Sequence, residues 1–532
     1  MGKDTKLLRY FAPILIILTI VSMRIINAEN LLDNADYFYL YNRARQLLVC
    51  IQDGNPLDFY YQDINGLGYG SSFFYGSLTL LPFLPLLNIG STAFLNAYIL
   101  IAGILFVIGT LYLSSKFTTK YVSVTCLFIL STFVVQMFST TGLIANYFAL
   151  GLSFLFIGCC IDFFRDNGKF IFASLLFFLI LNTHLITAVL SFIICVFIFI
   201  VYFDKKYISN YIAFAIVTTV FCLHYIVMFV THIDKGMLLG QTTTVFTNKA
   251  ELLYKFCGSK FVFSDVLTYT ILRVSNVQGY SIFGFGVLLI SLIVIACNFF
   301  RLSKKELFCI ICFVLGVFCG IDTIWLHLMQ HVSVFFQFPL RYMFYLLLGF
   351  YIIVVRRINK HLLILMFVFS VPNLLLFGGE SDFKLNNIGD LYNYQFMNGE
   401  YLYDNFEFDL DKFESLRKVV IDENNETYTY VKDKDILYIK YDTDETHTLS
   451  IPKLYYKGYV CKNIDNQVEL PVLNGNMQFI NITIPANSRG IYAIYYDASW
   501  MPILQWLNYW LVAIIVGLYV FSDFRFKNQL NV

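Results

Sequence analysis

Just past its first apolar segment the chain reads Asp33, Asn34, Ala35, Asp36, Tyr37, Phe38, Tyr39, Leu40, with Arg43 and Arg45 close behind. Two carboxylates and two guanidiniums beside a predicted membrane boundary form a set able to do polar chemistry on a membrane-borne substrate. Asp36 can act as a general base that takes a proton from an acceptor hydroxyl; the competing role is a solvated or helix-capping acid. Asp33 precedes it by three residues, a spacing that would put both on one helical face if the helix extends that far, with Asp33 a second ligand, a hydrogen-bond partner or neither. Arg43 and Arg45 offer paired donors that match phosphate oxygens, and they equally suit snorkelling to lipid headgroups.

Three further stretches carry chemistry-bearing residues. Asn65 to Gly76 reads NGLGYGSSFFYG. Its glycines and aromatics, Tyr69 among them, suit a close-packed surface loop or a sugar platform, and it lacks the GxxxxGK[ST] of a phosphate-binding loop. His184 sits in LNTHLITAV, at the predicted tip between two apolar segments. An ionisable group there is either functional or a helix cap. Trp325 to Arg341 reads WLHLMQHVSVFFQFPLR, which brings His327, His331, Gln337 and Arg341 to the mouth of a predicted span. His327 and His331 have i, i+4 spacing but no HExxH. No residue is therefore assigned as a metal ligand, and a divalent metal stays open.

These residues need a membrane scaffold to position them. The chain has 532 residues, of which 58% are hydrophobic, 18% aromatic and 14% charged, with a mean hydropathy of +0.66. Soluble proteins carry about 25% charged residues, so this is a polytopic membrane composition. A net charge of +1 gives no reason to expect nucleic acid as a partner. Most of the 12 cysteines lie in apolar segments as small hydrophobes, including the Cys309 and Cys312 pair. Lys3, Lys6 and Arg9 precede an apolar run too long for a signal-peptide core, which predicts an uncleaved first helix.

A span needs roughly 20 apolar residues. About twelve are predicted, near 8–27, 92–114, 121–138, 142–163, 169–185, 186–203, 208–230, 281–299, 306–322, 341–355, 361–377 and 499–521. With a cytoplasmic N-terminus, the basic residues of the short loops (Lys116, Lys120, Arg165, Lys205, Lys206, Arg301, Arg356, Arg357) and of the tail all fall on the cytoplasmic side. That agreement requires 74–90, with Pro82 and Pro85, to be interfacial or re-entrant instead of a span. Segments 28–91, 231–280 and 378–498 then lie outside. The last alternates as short strands (TYTYVK, ILYIKY, HTLSI, QFINITI), with Asn474-Gly475 marking a hairpin. The expected architecture is thus an all-α polytopic membrane region over 1–377, a β-rich, sandwich-like extracytoplasmic domain over 378–498, and a final helix with a cytoplasmic tail over 499–532.

The order of these patches resembles the GT-C membrane glycosyltransferases, and more closely the bacterial YfhO-like and "6-pyruvoyl-tetrahydropterin synthase-related" membrane proteins. DYFYLYNR (Asp36 to Arg43) is similar to that group's D-x-x-F-H-L-x-R stretch, with Tyr39 at the usual histidine and one extra residue before Arg43. GLGYGSSFFYGSLTLLPFLPLL is similar to its G-Y-G-x-x-x-F-Y-x-P-L segment, with Gly76 at a usual proline. NTHLITAVLS and FQFPLR are similar to its T-H-L and Q-F-P-W-R patches.

The resemblance implies transfer of a sugar from a polyprenyl-phosphate-linked donor to a cell-wall polymer, glycolipid or glycan acceptor, on the outer face of the plasma membrane. It implies Asp36 as base, with Arg341 and Arg43 on the donor phosphate and His184 lining the site. Asp33, Tyr39, Tyr69 and Gln337 complete the expected substrate-binding set. The rivals are a lipid-linked glycan transporter, which would place ionisable groups deep in several spans, a polysaccharide polymerase, and a non-catalytic cell-envelope protein.

Overall fold

The structure is a computed structural model. It describes residues 11–22, 35–54, 76–131, 144–166, 170–232, 285–303, 340–371, 419–497 and 500–530, with a few single positions between. Its helices are α1 (Phe11–Ser22), α2 (Ala35–Asp53), α3 (Ser91–Ser115), α4 (Tyr121–Ile129), α5 (Ile144–Asp166), α6 (Phe170–Leu181), α7 (Leu185–Tyr202), α8 (Ile208–Phe221), α9 (Leu223–His232), α10 (Phe285–Asn298), α11 (Leu340–Arg357), α12 (Lys360–Ser370) and α13 (Trp500–Leu530). Among the described residues, α3, α5, α7 and α13 are each long and apolar enough to cross a membrane; α8 and α9 together make a fifth candidate, bent by 59°.

Several expected spans appear as shorter helices, for local reasons. The segment 121–138 breaks after α4, where Ser131 Oγ donates to the Phe128 carbonyl (2.6 Å) and accepts from the Val134 N–H (3.3 Å). The hydroxyl thus closes one helix and caps the next turn. Segment 169–185 ends at Leu181 because Asn182 Nδ2 and Thr183 Oγ1 bond back to the carbonyls of Phe178 and Leu179. The proline-containing segment 74–90 forms a 3₁₀ helix, Leu78–Asn88. Segment 306–322 falls mostly outside the described residues.

The chain divides into two compact units, Met1–Phe38 with Pro85–Phe214 and Thr242–Leu385, and Tyr39–Leu84 with Ala215–Gln241 and Asn386–Val532. The first is helical, and its spine is the pair α3 and α5. Tyr98 stacks on Phe148 with ring centroids 5.0 Å apart, Phe106 meets Phe154 at 5.6 Å, and Tyr112 Oη donates to Asp162 Oδ2 at 2.7 Å. Partners advance together along both helices, so the two run parallel. Glycines let the backbones touch. A Cβ on Gly109 would lie 2.3 Å from the Gly151 carbonyl oxygen, and one on Gly151 would lie 2.6 Å from Leu105 C and Phe106 N. Close approach through small residues is how helices associate where no water drives them together.

The C-terminal ends of α3, α5 and α11 carry charged clusters. Lys116 pairs with Asp162 at 2.5 Å. Lys120 donates to the Ile358 and Val355 carbonyls at 2.8 and 3.3 Å, capping α11. Arg357 pairs with Glu306 at 2.7 Å.

The second unit contains a C-terminal antiparallel β region with strands β1 (Val420–Asp422), β2 (Thr427–Tyr428), β3 (Val431–Asp433), β4 (Ile436–Lys440), β5 (His447–Leu454), β6 (Tyr459–Asn463), β7 (Glu469–Leu470), β8 (Val472–Asn474), β9 (Phe479–Ile484) and β10 (Ile491–Tyr496). They form two five-stranded sheets, ordered β2-β1-β5-β9-β8 and β3-β4-β10-β6-β7. The hairpin marked by Asn474-Gly475 is present between β8 and β9, but its loop is longer than two residues and holds a 3₁₀ turn, Asn476–Gln478. At Gly475 the Asn481 side-chain amide occupies the space a Cβ would take.

Candidate active site

Asp36 is the second residue of α2, about two turns before Arg43 on the same helix. Arg43 is 2% exposed, and its Nη2 donates to the Gly76 carbonyl at 3.2 Å. Its guanidinium also lies 5.6 Å from the centre of the Tyr39 ring, within cation–π range. The structure therefore brings together Tyr39, Arg43 and the end of the glycine-rich stretch. Gly68 in that stretch has φ 82°, a left-handed conformation that favours glycine. A buried guanidinium needs such acceptors, since an unpaired charge away from water is costly.

His184, in the first unit, is the N-cap of α7 and is 4% exposed. Its Nδ1 accepts from the Thr187 N–H at 3.2 Å and lies 2.8 Å from Thr187 Oγ1. Thr187 Oγ1 is in turn 3.0 Å from the side-chain amide of Asn146, at the start of α5. Deeper along α5, Ser153 Oγ lies 2.6 Å from Ser191 Oγ of α7 and 2.8 Å from Tyr345 Oη of α11. Tyr345 stands one turn after Arg341, the second residue of α11. This polar group and the charged cluster occupy opposite ends of the helices. Asn146 and Asp162 are sixteen residues apart on α5, about 24 Å at 1.5 Å per residue.

Of the expected site residues, Arg43, Tyr39 and His184 have described side chains. For Asp36 and Arg341 the backbone alone is described. Asp33, Tyr69 and Gln337 lie outside the described residues, as do His327 and His331. The capping alternative for His184 is realised in its bond from the Thr187 N–H; capping and a place at a site are compatible. Asn146, Thr187, Ser153, Ser191 and Tyr345 were missed by the motif reading. The signal that finds them is a few hydroxyls and amides interrupting otherwise apolar spans.

In the second unit, α8 and α9 meet at a break at Cys222, and α13 seals it. Asn508 Nδ2 donates to the Val220 carbonyl at 2.7 Å, while His224 Nδ1 donates to Asn508 Oδ1 at 2.7 Å. At the end of α9, His232 contacts the Tyr496 hydroxyl of β10. The β region also holds a cavity of about 310 Å³ lined by Asp422, Glu426, Asp444, Tyr428, Tyr441 and His447, among others. Asp422 there is engaged by its own turn, accepting from the N–H groups of Asn424 and Glu426 and from the Tyr428 hydroxyl. Among the described residues no group of three or more His, Cys, Asp or Glu is arranged to hold a metal ion.

Comparison with protein-family models, with curated proteins and with solved structures finds no match to this chain.

Proposed function

We propose that the protein is an integral membrane glycosyltransferase that moves a sugar from a polyprenyl-phosphate-linked donor to a cell-envelope acceptor on the outer face of the membrane. The observation that carries this reading is Asp36 on one helix with a buried Arg43 that is bonded to Gly76. Asp36 would supply the base, and Arg43, bonded to the end of the glycine-rich segment, a phosphate-binding group. The order of patches along the sequence and the separation of polar and charged helix ends support the same assignment. The charged end, rich in Lys and Arg, would face the cytoplasm, and the GT-C architecture with its β sandwich outside would follow.

The chemistry balances without a further reactant. The acceptor oxygen bonds to the anomeric carbon as the bond from that carbon to the phosphate oxygen breaks. The bonding pair leaves with the lipid phosphate, and the acceptor proton passes to the Asp36 carboxylate. Attack from the face opposite the leaving group inverts the configuration. Arg43 and Arg341 would stabilise the charge that develops on the departing phosphate.

The test compares lipid and cell-wall glycans from cells that lack the protein, carry the wild type, or carry Asp36→Asn at equal membrane level. The reading predicts that one sugar is missing from both the deletion and the Asp36→Asn cells. A normal profile in the Asp36→Asn cells, where deletion does remove a sugar, rejects Asp36 as base.

One observation favours a second reading, transport of a lipid-linked glycan. A span broken at Cys222, with a buried histidine at the break, is the kind of element transporters use for binding near the membrane midplane. Under that reading Asn508→Leu would stop product formation and Asp36→Asn would not.

A further inference from the structure

The contacts around His184 fix where its proton sits. The backbone N–H of Thr187 points at Nδ1 from 3.2 Å. An N–H can only donate, so Nδ1 carries its lone pair and the ring proton is on Nε2. Thr187 Oγ1 also lies 2.8 Å from Nδ1, and its hydroxyl donates to Asn146 Oδ1 at 3.0 Å, which ties the first turn of α7 to α5 beside the ring. With Asn146 and Thr187 2% exposed and His184 4% exposed, water has little access to compete for these bonds.

We infer that Thr187, through its backbone N–H, is a positioning residue that holds His184 as the Nε2–H tautomer, so that His184 presents a hydrogen-bond donor and takes no proton in the reaction. The consequence for catalysis rests on the glycosyltransferase reading. In that reaction the ring N–H suits an oxygen that gains negative charge, and the role of base stays with Asp36. The same contacts orient the ring, because Nδ1 is tied to the first turn of α7, the helix it caps.

Solid-state NMR of the full-length protein in bilayers, with ¹⁵N-labelled histidine, reads the tautomer directly. The His184 signals are identified by their loss in His184→Gln. The wild type is expected to show an unprotonated Nδ1 and a protonated Nε2. Thr187→Val keeps the backbone N–H and is expected to keep the same tautomer. A wild-type signal with the proton on Nδ1 overturns the inference whether or not any variant folds, and so does a proton on Nδ1 in a folded Thr187→Val.

Product formation gives the second readout. A glutamine amide reaches the Nε2 position and an asparagine amide the Nδ1 position, so His184→Gln should outperform His184→Asn by about a hundredfold, the effect of one well-aimed donor. Equal loss in both contradicts the donor role. If the NMR result holds while Asp36→Asn leaves the glycans unchanged, the glycosyltransferase reading fails and the tautomer assignment stands.

Discussion

Lys453 shows how far a single side chain can depart from what its type predicts. It is 1% exposed, on β5, and its Nζ has no hydrogen-bond partner among the described residues. Burial, with the nearby Lys432 charge adding to it and Asp435 opposing, pushes its amine down to about 7. An unfolded lysine titrates near 10.4. Between these values the unfolded chain binds more protons, so stability of the β region rises as pH goes from about 7 to about 10. Below pH 7 both states are protonated and the full cost is present. Lys453→Met should stabilise the region at neutral pH by about 2–5 kcal/mol and remove that slope. Hydrogen exchange of the β5 and β9 peptides in the whole protein, measured across pH, checks both. A lysine in a strand normally reads as a solvent-facing residue. Here the register shift between Ile451 and Leu454 puts Pro452, Lys453 and Leu454 inside consecutively, and no local pattern announces it. Arg43 was legible as a residue with work to do, because a guanidinium near a span must find acceptors. That its acceptor is Gly76, 33 residues away, depends on chain geometry that spacing does not encode.

At the scale of elements, periodicity located the apolar segments better than it located their ends. The three most apolar long helices, α3, α5 and α7, match expected spans closely. Segments 121–138 and 208–230 read as uninterrupted because hydropathy averages over a single Ser131 or a bend at Cys222. The side-chain bonds that cause such breaks are local and invisible to an average. The strands were legible as alternation, and TYTYVK, ILYIKY, HTLSI and QFINITI all fall on observed strands. Pairing order was not, since β5 joins β1 and β9 although three strands intervene along the chain on either side. The glycine contact between α3 and α5 supports a sharp prediction. Gly151→Ala would place a methyl carbon against backbone atoms that cannot move aside, and should cost about 1–3 kcal/mol. Gly349→Ala on α11, where a Cβ meets nothing within 4 Å, should leave stability unchanged or slightly raised. Thermal unfolding of both variants in the same detergent checks the pair. Equal stability of the two would mean that α3 and α5 do not pack through Gly109 and Gly151.

For the whole molecule, composition indicated a membrane protein, and the described residues include several helices of the needed length and apolarity. The proposed orientation puts Lys116, Lys120, Arg165, Lys205 and Arg357 in the cytoplasm and the β region outside. Single cysteines at Lys205 and at Asp444, in a background whose accessible cysteines are removed, should label with an impermeant maleimide only after lysis and in intact cells, respectively. The opposite pattern would place Asp36 on the cytoplasmic face and remove the reason for a lipid-linked donor. The central claim is that the sugar comes from a polyprenyl phosphate. Its most direct test is to quantify polyprenyl-phosphate-linked sugars in lipid extracts of cells carrying wild type or Asp36→Asn. One such donor is expected to accumulate in the Asp36→Asn cells as its glycan product disappears. A donor pool that stays at the wild-type level while that product is lost would contradict it.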